Sequence, residues 1–309
     1  MRRLLIITTI FMLLLMYAYF VAAPVPNQQL STNEDSTNTI ADTSDTLTNV
    51  IQTDTIKVSL EYPEVTNNAF AVGEKLTFKV RYGFIRAGTA TMEVMPEKEI
   101  RGNPVYHIQT RAESASAFNW IYEVRDVVDS YMDKRGLFSW KFDKRLREGG
   151  YMVDLLVDYF PEDSLADVNY TRFEDEETIR DQDHYQVKTP PFSLDVLAAF
   201  YYIRTQDLEV GKVFTFVNHD NKKVYNLEVH VYPREIAETA AGNFTCFVVE
   251  PFLKGEGLFQ QKGKLRVWMT DDKYKIPVQM KSEVAVGHIT TELEEISGIN
   301  ERIPSKMEY

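Results

Sequence analysis

Cys246 is the only cysteine in the chain. Its solitude excludes an intrachain disulfide, a cysteine-based zinc cage and the acylated N-terminal cysteine of a lipoprotein. Basic residues are short as well: 34 Lys and Arg stand against 46 Asp and Glu, for a net charge of −12 and a pI near 5.0. Nucleic acid is therefore a poor partner, since binding it takes an excess of cations to displace phosphate counterions. There is no GxSxG elbow, no HExxH pair and no tandem CxxC. The nearest approach to a phosphate loop runs from Gly257 to Gly263-Lys264-Leu265. Its spacing is one residue too long and it lacks the Ser or Thr that would hold magnesium, so it reads as a turn. His107, His184, His219, His230 and His288 are scattered without ligand spacing and read as strand or turn residues. No cofactor and no metal are expected.

What is present begins with an export signal. Met1-Arg2-Arg3 is a short positive head, and Leu4 to Val21 carries no charge. Val21-Ala22-Ala23 then offers the small residues that a signal peptidase reads. Residues 1–23 are thus a signal peptide or an N-terminal membrane anchor. Pro24, just after the cut, obstructs the peptidase, and eighteen apolar residues fall at the short end of what spans a bilayer. Residues 24–66 change composition abruptly to Ser, Thr, Asn and Asp, with a net charge of −6. They carry little to bury and read as a disordered acidic tether, although Thr55 to Leu60 alternates weakly enough to form a late edge strand.

From residue 67 to 309 the dominant period is two. Phe78, Val80 and Tyr82 alternate with polar residues, as do Ala90, Met92 and Val94; Tyr225, Leu227, Val229 and Val231; and Leu265, Val267 and Met269. Such alternation buries one face of an antiparallel sheet and wets the other. Gly73, Gly102-Asn103, Gly149-Gly150, Asp220-Asn221, Gly242-Asn243 and Gly287 punctuate it as turns. Seventeen Tyr and eighteen Phe also favour strands. One stretch differs: Leu194 to Arg204, after Pro190-Pro191, has helical spacing and is apolar nearly all round. It predicts one buried helix near residues 193–206, with Ser193 as N-cap and Arg204 at the negative end. The expected fold is all-β, a large antiparallel sheet or open barrel with that helix packed on it or plugging one end.

Val72-Gly73-Glu74-Lys75-Leu76-Thr77-Phe78 returns as Val210-Gly211-Lys212-Val213-Phe214-Thr215-Phe216. Gly102-Asn103, Tyr131-Met132 and Gly150 recur in order as Gly242-Asn243, Trp268-Met269 and Gly287 at nearly the same offset. The expectation is an internal duplication, about 70–160 and 208–297, whose halves pair into one structure because neither closes its sheet edges alone.

The same residues carry a resemblance. Gly73-Glu74-x-Leu76-x-Phe78-x-Val80-x-Tyr82-Gly83 and Ala87-Gly88-x-Ala90-x-Met92-x-Val94 resemble the opening of the bacterial domain-of-unknown-function family 3108. Asp195 to Arg204, Gly255-Glu256-Gly257-x-Phe259, Val267-Trp268-Met269-Thr270-Asp271-Asp272, Ile276-Pro277-Val278 and Val286-Gly287-His288-Ile289 resemble its later blocks. The resemblance spans about Phe70 to Leu293. It implies an exported, envelope-associated, β-rich protein and brings no catalytic residues with it.

Candidate sites are few. Asp181-Gln182-Asp183-His184 is the best local acid and imidazole cluster, but it follows Glu174-Asp175-Glu176-Glu177 and reads as a solvated acidic loop. Asp126, Asp129 and Asp133 could form a carboxylate set, yet Asp126 and Asp133 differ in strand parity and should face opposite sides. Asp271-Asp272-Lys273 reads as a hairpin turn, and Cys246 as a buried inert thiol. The remaining candidate is apolar: Trp120, Phe200, Tyr201, Tyr202 and Trp268 could line a ligand cavity inside the sheet, or simply fill its core.

The functional expectation is a non-enzymatic, exported cell-envelope protein, in the periplasm or on the outer face of the inner membrane, that binds a lipid or other hydrophobic component. An envelope scaffold holding a protein partner is the alternative. A hydrolase of envelope glycans, working through a carboxylate pair, is the third.

Overall fold

The computed structural model describes residues 61–120, 122–254, 265–283 and 287–308. The export segment, most of the tether, the Gly255 to Phe259 block and the Gly257 to Lys264 turn lie outside the described residues. Fourteen strands follow one another: β1 Lys75–Tyr82, β2 Ile85–Ile100, β3 Asn103–Ser114, β4 Arg125–Asp133, β5 Ser139–Glu148, β6 Tyr151–Phe160, β7 Leu165–Phe173 and β8 Ile179–Lys188, then β9 Val213–Asp220, β10 Lys223–Thr239, β11 Gly242–Lys254, β12 Leu265–Thr270, β13 Pro277–Glu283 and β14 His288–Ser297. A helix, α1, spans Val196–Arg204 between β8 and β9.

All fourteen strands form one antiparallel sheet, in the order β8-β7-β6-β5-β4-β3-β2-β1-β14-β13-β12-β11-β10-β9. The reason is local. Most alternating runs are joined to the next by a short turn, several of them built on Gly or Asn, so every strand except β8 pairs with the one that follows it in sequence. The one long-range pairing is β1 with β14, where Leu76 meets Ile296 and Tyr82 meets Ile289.

β1–β6 and β9–β14 run in the same order, each strand pairing with the next. Their details also correspond. Gly73 N–H donates to the Val94 carbonyl and Val94 N–H to that of Glu74, while Gly211 N–H donates to Val231 and Val231 N–H to Lys212. β2 carries an irregularity between Met95 and Lys98, and β10 carries one between Tyr232 and Glu235.

The sheet curls until its two ends meet through side chains. Lys144 on β5 bonds Asp220 on β9, Tyr159 on β6 reaches His219 on β9, and Lys222 beyond β9 bonds Asp183 on β8. The sheet does not close, because β8 and β9 share no ladder. Leu194 fills part of the gap: its N–H donates to the Val217 carbonyl, and its own carbonyl accepts from His219 N–H. α1 then lies inside the curl between β4 and β9.

Two expectations need correction, the helix cap and the extent of the tether. Helix α1 begins at Val196, and its N-cap is Asp195 rather than Ser193; the Ser193 hydroxyl instead donates to the Pro190 carbonyl. Arg204 stands in the last turn, at the negative helix end as expected, and is wholly buried beside Glu74. The tether does not extend to residue 66. The Tyr62 hydroxyl donates to Asp133 at 2.5 Å, its ring meets Phe138 and Phe192 edge-on, and Val65 N–H donates to the Arg135 carbonyl. The stretch looks polar as a whole, and two anchors in six residues leave no periodic signal. A chain beginning at Asn67 should therefore be less stable than one beginning at Pro24 by about 2 kcal/mol, the scale of a packed aromatic with a hydrogen bond. Denaturant unfolding of the two chains measures this, and identical midpoints would show that the contacts are idle.

Candidate functional site

The inner face of β4, β5 and β6, with the end of β9, buries an unusual amount of polarity. Lys144, Glu148, Asp126, Asn218, His219 and Asp220 are all buried. Period two puts Lys144 and Glu148 on the face that β5 turns inward with Phe142 and Leu146, so the charge follows from strand geometry. Lys144 Nζ lies 3.1 Å from Asp220 Oδ1, and the Tyr159 hydroxyl lies 3.2 Å from His219 Nδ1. Burial holds the His219 imidazole below its ordinary pKa, so it is neutral at pH 7.

Asp126 and Glu148 form the centre of this cluster. The Arg147 backbone N–H donates to Asp126 Oδ1 at 2.8 Å. The two carboxyl groups lie within hydrogen-bonding reach of each other. Two carboxylates cannot bond, since neither donates, and Asp126 Oδ2 and Glu148 Oε1 then have no partner among the described residues. One proton between them satisfies both. Burial pushes both carboxyls above the usual range, and the Asp126 charge pushes Glu148 further. Tyr122 covers the pair from the β3–β4 connection, with its hydroxyl buried and its ring lying against Gly149. A Cβ at position 149 would stand 2.7 Å from the Tyr122 ring, and the backbone there has φ +56°, so glycine is needed twice over.

Such a pair can exchange a proton. It is not the glycan-cleaving geometry, in which two carboxyls stand apart with room for a sugar between them. The other acids expected to form a set are separated. Asp129 binds His107 at 2.6 Å and Arg145 at 3.0 Å, while Asp133 caps a turn through Arg135 and Gly136 N–H and accepts from Trp140 Nε1. Asp181 to His184 lie in strand β8 rather than a loop, with His184 exposed and paired to Asp167. Among the described residues, no three His, Cys, Asp or Glu side chains group to hold a metal ion. Burial raises the Cys246 thiol to about 12, so it carries no thiolate at neutral pH.

The five aromatic residues proposed to line a cavity are not brought together. Tyr201 is fully buried, edge-on to Phe70 at 4.9 Å. Phe200 and Tyr202 are only half-buried, and Tyr202 leans on Phe216 at 5.2 Å. Trp268 sits on β12 and donates to Glu235 at 2.9 Å. Trp120 lines no interior at all, being 82% exposed in the β3–β4 connection. Where a ligand cavity was expected, α1 fills the curl with Leu197, Ala198, Ala199, Tyr201 and Ile203. Two depressions open on the surface, one of about 510 Å³ around Tyr62 and Arg135, the other of about 230 Å³ around Val210 and Tyr232; neither involves the five.

Trp120 has company instead. Because the strands alternate in direction, the β1–β2 and β3–β4 connections lie at the same end of the sheet, tied by Ala115 N–H to the Ala87 carbonyl. The β1–β2 tip presents Phe84, fully exposed at 102%, and Ile85, exposed at 56%. This apolar rim was not anticipated from sequence, where the alternation shows at Phe78 to Tyr82 and again at Ala90 to Val94.

These features define an all-β protein built on one curled, unclosed antiparallel sheet with a helix in its hollow. The chain belongs to a protein family of unknown function, DUF3108, whose pattern matches residues 77–294. No curated protein matches the chain. Among solved structures it is similar to a β-barrel-like protein of domain of unknown function DUF1849 from Brucella abortus, at 8% identity and TM-score 0.47, covering 74% of this chain and 98% of that one. It is also similar to a Bacteroides fragilis protein with a YmcC-like fold described as exported, at 11% identity and TM-score 0.29, covering 76% and 99% of the two chains. A Parabacteroides distasonis protein described as a lipoprotein matches at 9% identity and TM-score 0.27, covering 76% and 97%.

Proposed function

We propose that this chain is an exported, non-enzymatic cell-envelope protein that engages a hydrophobic envelope component, the lipid surface, at the apolar rim of its sheet rather than inside it. The exposed Phe84, Ile85 and Trp120 at one end carry the reading. Aromatic tips on hairpin ends suit a membrane interface, where ring and headgroup meet. The filled hollow supports the same choice, because α1 occupies the interior where a ligand would otherwise sit. The positive head and uncharged run of residues 1–23 support export to the periplasm or the outer face of the inner membrane. The chemistry needs no cofactor.

A second reading rests on β8, an exposed edge strand bonded on one side only, which could take up an extended segment of a protein partner. Flotation of the chain from Pro24 with neutral phosphatidylcholine and phosphatidylethanolamine vesicles separates the two. Wild type should float with the vesicles. Phe84→Ser with Trp120→Ser should weaken binding by about tenfold or more, the scale of withdrawing two aromatic side chains from an apolar phase. No binding by wild type would overturn the lipid reading and leave the edge strand.

A further inference from the structure

We propose that the β3–β4 connection, which carries Trp120, is latched by a proton: Tyr122 closes over Asp126 and Glu148 while they share one, and the connection opens when it is lost. This adds regulation to the rim described above, and it rests on that reading only for its consequence at a membrane.

The latch is visible in how the connection is held. Its base is a ladder remnant, with Ser114 N–H donating to the Val124 carbonyl and Val124 N–H to Ser114 Oγ. Its far side is pinned to the β5–β6 turn by Gly149 N–H, which donates to the Glu123 carbonyl at 2.7 Å. Between these, Ser116, Ala117, Asn119 and Trp120 face solvent. Tyr122 goes inward, over the carboxyl pair and against Gly149.

The surroundings decide what ionisation does. Facing the pair are Lys144 and Arg147 on β5, Tyr151 on β6 and Tyr122 itself, with Asp220 of β9 behind Lys144. Both cations are engaged elsewhere, Lys144 with Asp220 at 3.1 Å and Arg147 with Asp154 at 2.7 Å. Glu123 turns away to Arg125. Burial keeps the Tyr122 phenol protonated and uncharged, so it brings no positive charge to the pair. Two carboxylates here would be buried, adjacent and short of donors, which is costly. Water must reach them, and the connection that covers them, with Ser116, Ala117, Asn119 and Trp120 already in solvent, is the segment that gives way.

The direction in pH follows. Both carboxyls are held above their ordinary range in the folded chain, so the folded state binds the proton more tightly than the unfolded state. The latch is therefore complete at low pH and is lost as pH rises through the raised folded value.

Amide hydrogen exchange tests this on the chain from Pro24, which keeps every described residue. Protection of residues 115–120 and 122–124, corrected for the intrinsic rate, is compared at about pH 5, below both raised values, and about pH 9, at the upper of them. Wild type should lose about tenfold or more of its protection at the higher pH, the change a one-unit displacement of the proton equilibrium produces. Glu148→Gln should hold the same protection at both, because the amide donates to Asp126 and cannot ionise. If that variant does not fold, Asp126→Asn serves, since a lone carboxylate has no like charge beside it and its pH loss should be smaller. Protection in β1 is the reference and should not change. Equal protection of the wild-type connection at both pH values, or the same loss in Glu148→Gln, would overturn the latch. Vesicle flotation on the same samples keeps the two ideas apart: opening without any vesicle binding supports the latch and sinks the membrane reading.

Discussion

Arg204→Ala should lower the free energy of unfolding by about 3–5 kcal/mol, the cost of leaving one partner of a buried ion pair uncompensated. Arg204 is fully buried, and its guanidinium meets the Glu74 carboxylate with both arms, at 2.6 and 2.8 Å. Its Nε donates to the Tyr274 carbonyl at 3.2 Å and its second arm to the Ala69 carbonyl at 3.3 Å. The Tyr201 ring lies 4.9 Å from its carbon centre. One side chain thus ties α1 to the entrance of β1 and to the β12–β13 turn, joining both halves of the sheet. Arg204→Met with Glu74→Leu should recover a large part of the loss, because no charge is then stranded. Urea unfolding of the three proteins reads the difference. A single variant within 1 kcal/mol of wild type would mean that water reaches Glu74 and that the pair is not sealed.

The second large effect belongs to Asp195. Its Oδ1 accepts from Leu197 and Ala198 N–H at 2.9 and 2.8 Å, capping α1, and its Oδ2 accepts from the Ser130 and Ser139 hydroxyls at 2.7 and 2.6 Å. Asp195→Ala removes the cap, worth about 1 kcal/mol. It also strands buried hydroxyls of β4 and β5, at about 1–3 kcal/mol. The total should be about 3 kcal/mol by urea unfolding. Asp195→Asn, which keeps an oxygen for the cap, should lose clearly less. Equal losses in the two variants would mean that burial of the side chain matters and its hydrogen bonds do not.

Phe200 shows where pattern reading reaches its limit. An all-round apolar helix says that most of its surface is covered, and it is, by β4, β9 and the residues around Phe70. It does not say which face goes deepest. Tyr201 took that place and Phe200 stayed half-buried, so a charge at position 200 would be tolerated better than its hydrophobicity suggests. Similarly, β8 carries so many charges that it reads as a loop. As an edge strand it needs only Tyr185 and Val187 leaning inward, and charges along an edge discourage unwanted pairing. Of the carboxyl pair only Asp126 left a mark, grouped with Asp129 and Asp133 of its own strand; Glu148 belongs to the next strand, beyond a turn, and looks like an ordinary polar position.

What the chain determined through its sequence alone are the local things: the period-two strands, the glycine and asparagine turns between many of them, and the helix after Pro190-Pro191. These depend on residues within a few positions of one another, where steric preference and burial pattern act directly. Only the tertiary structure decided the rest. It chose β14 as the second partner of β1, the direction of the curl, the burial of Arg204 against Glu74, and the gathering of Phe84 and Trp120 at one end. Those outcomes depend on how a twisted sheet of fourteen strands meets itself, and on which charges find a partner once water is gone. A one-dimensional pattern holds the polarity of each position; the identity of its neighbour across the hollow exists only after the sheet has curled.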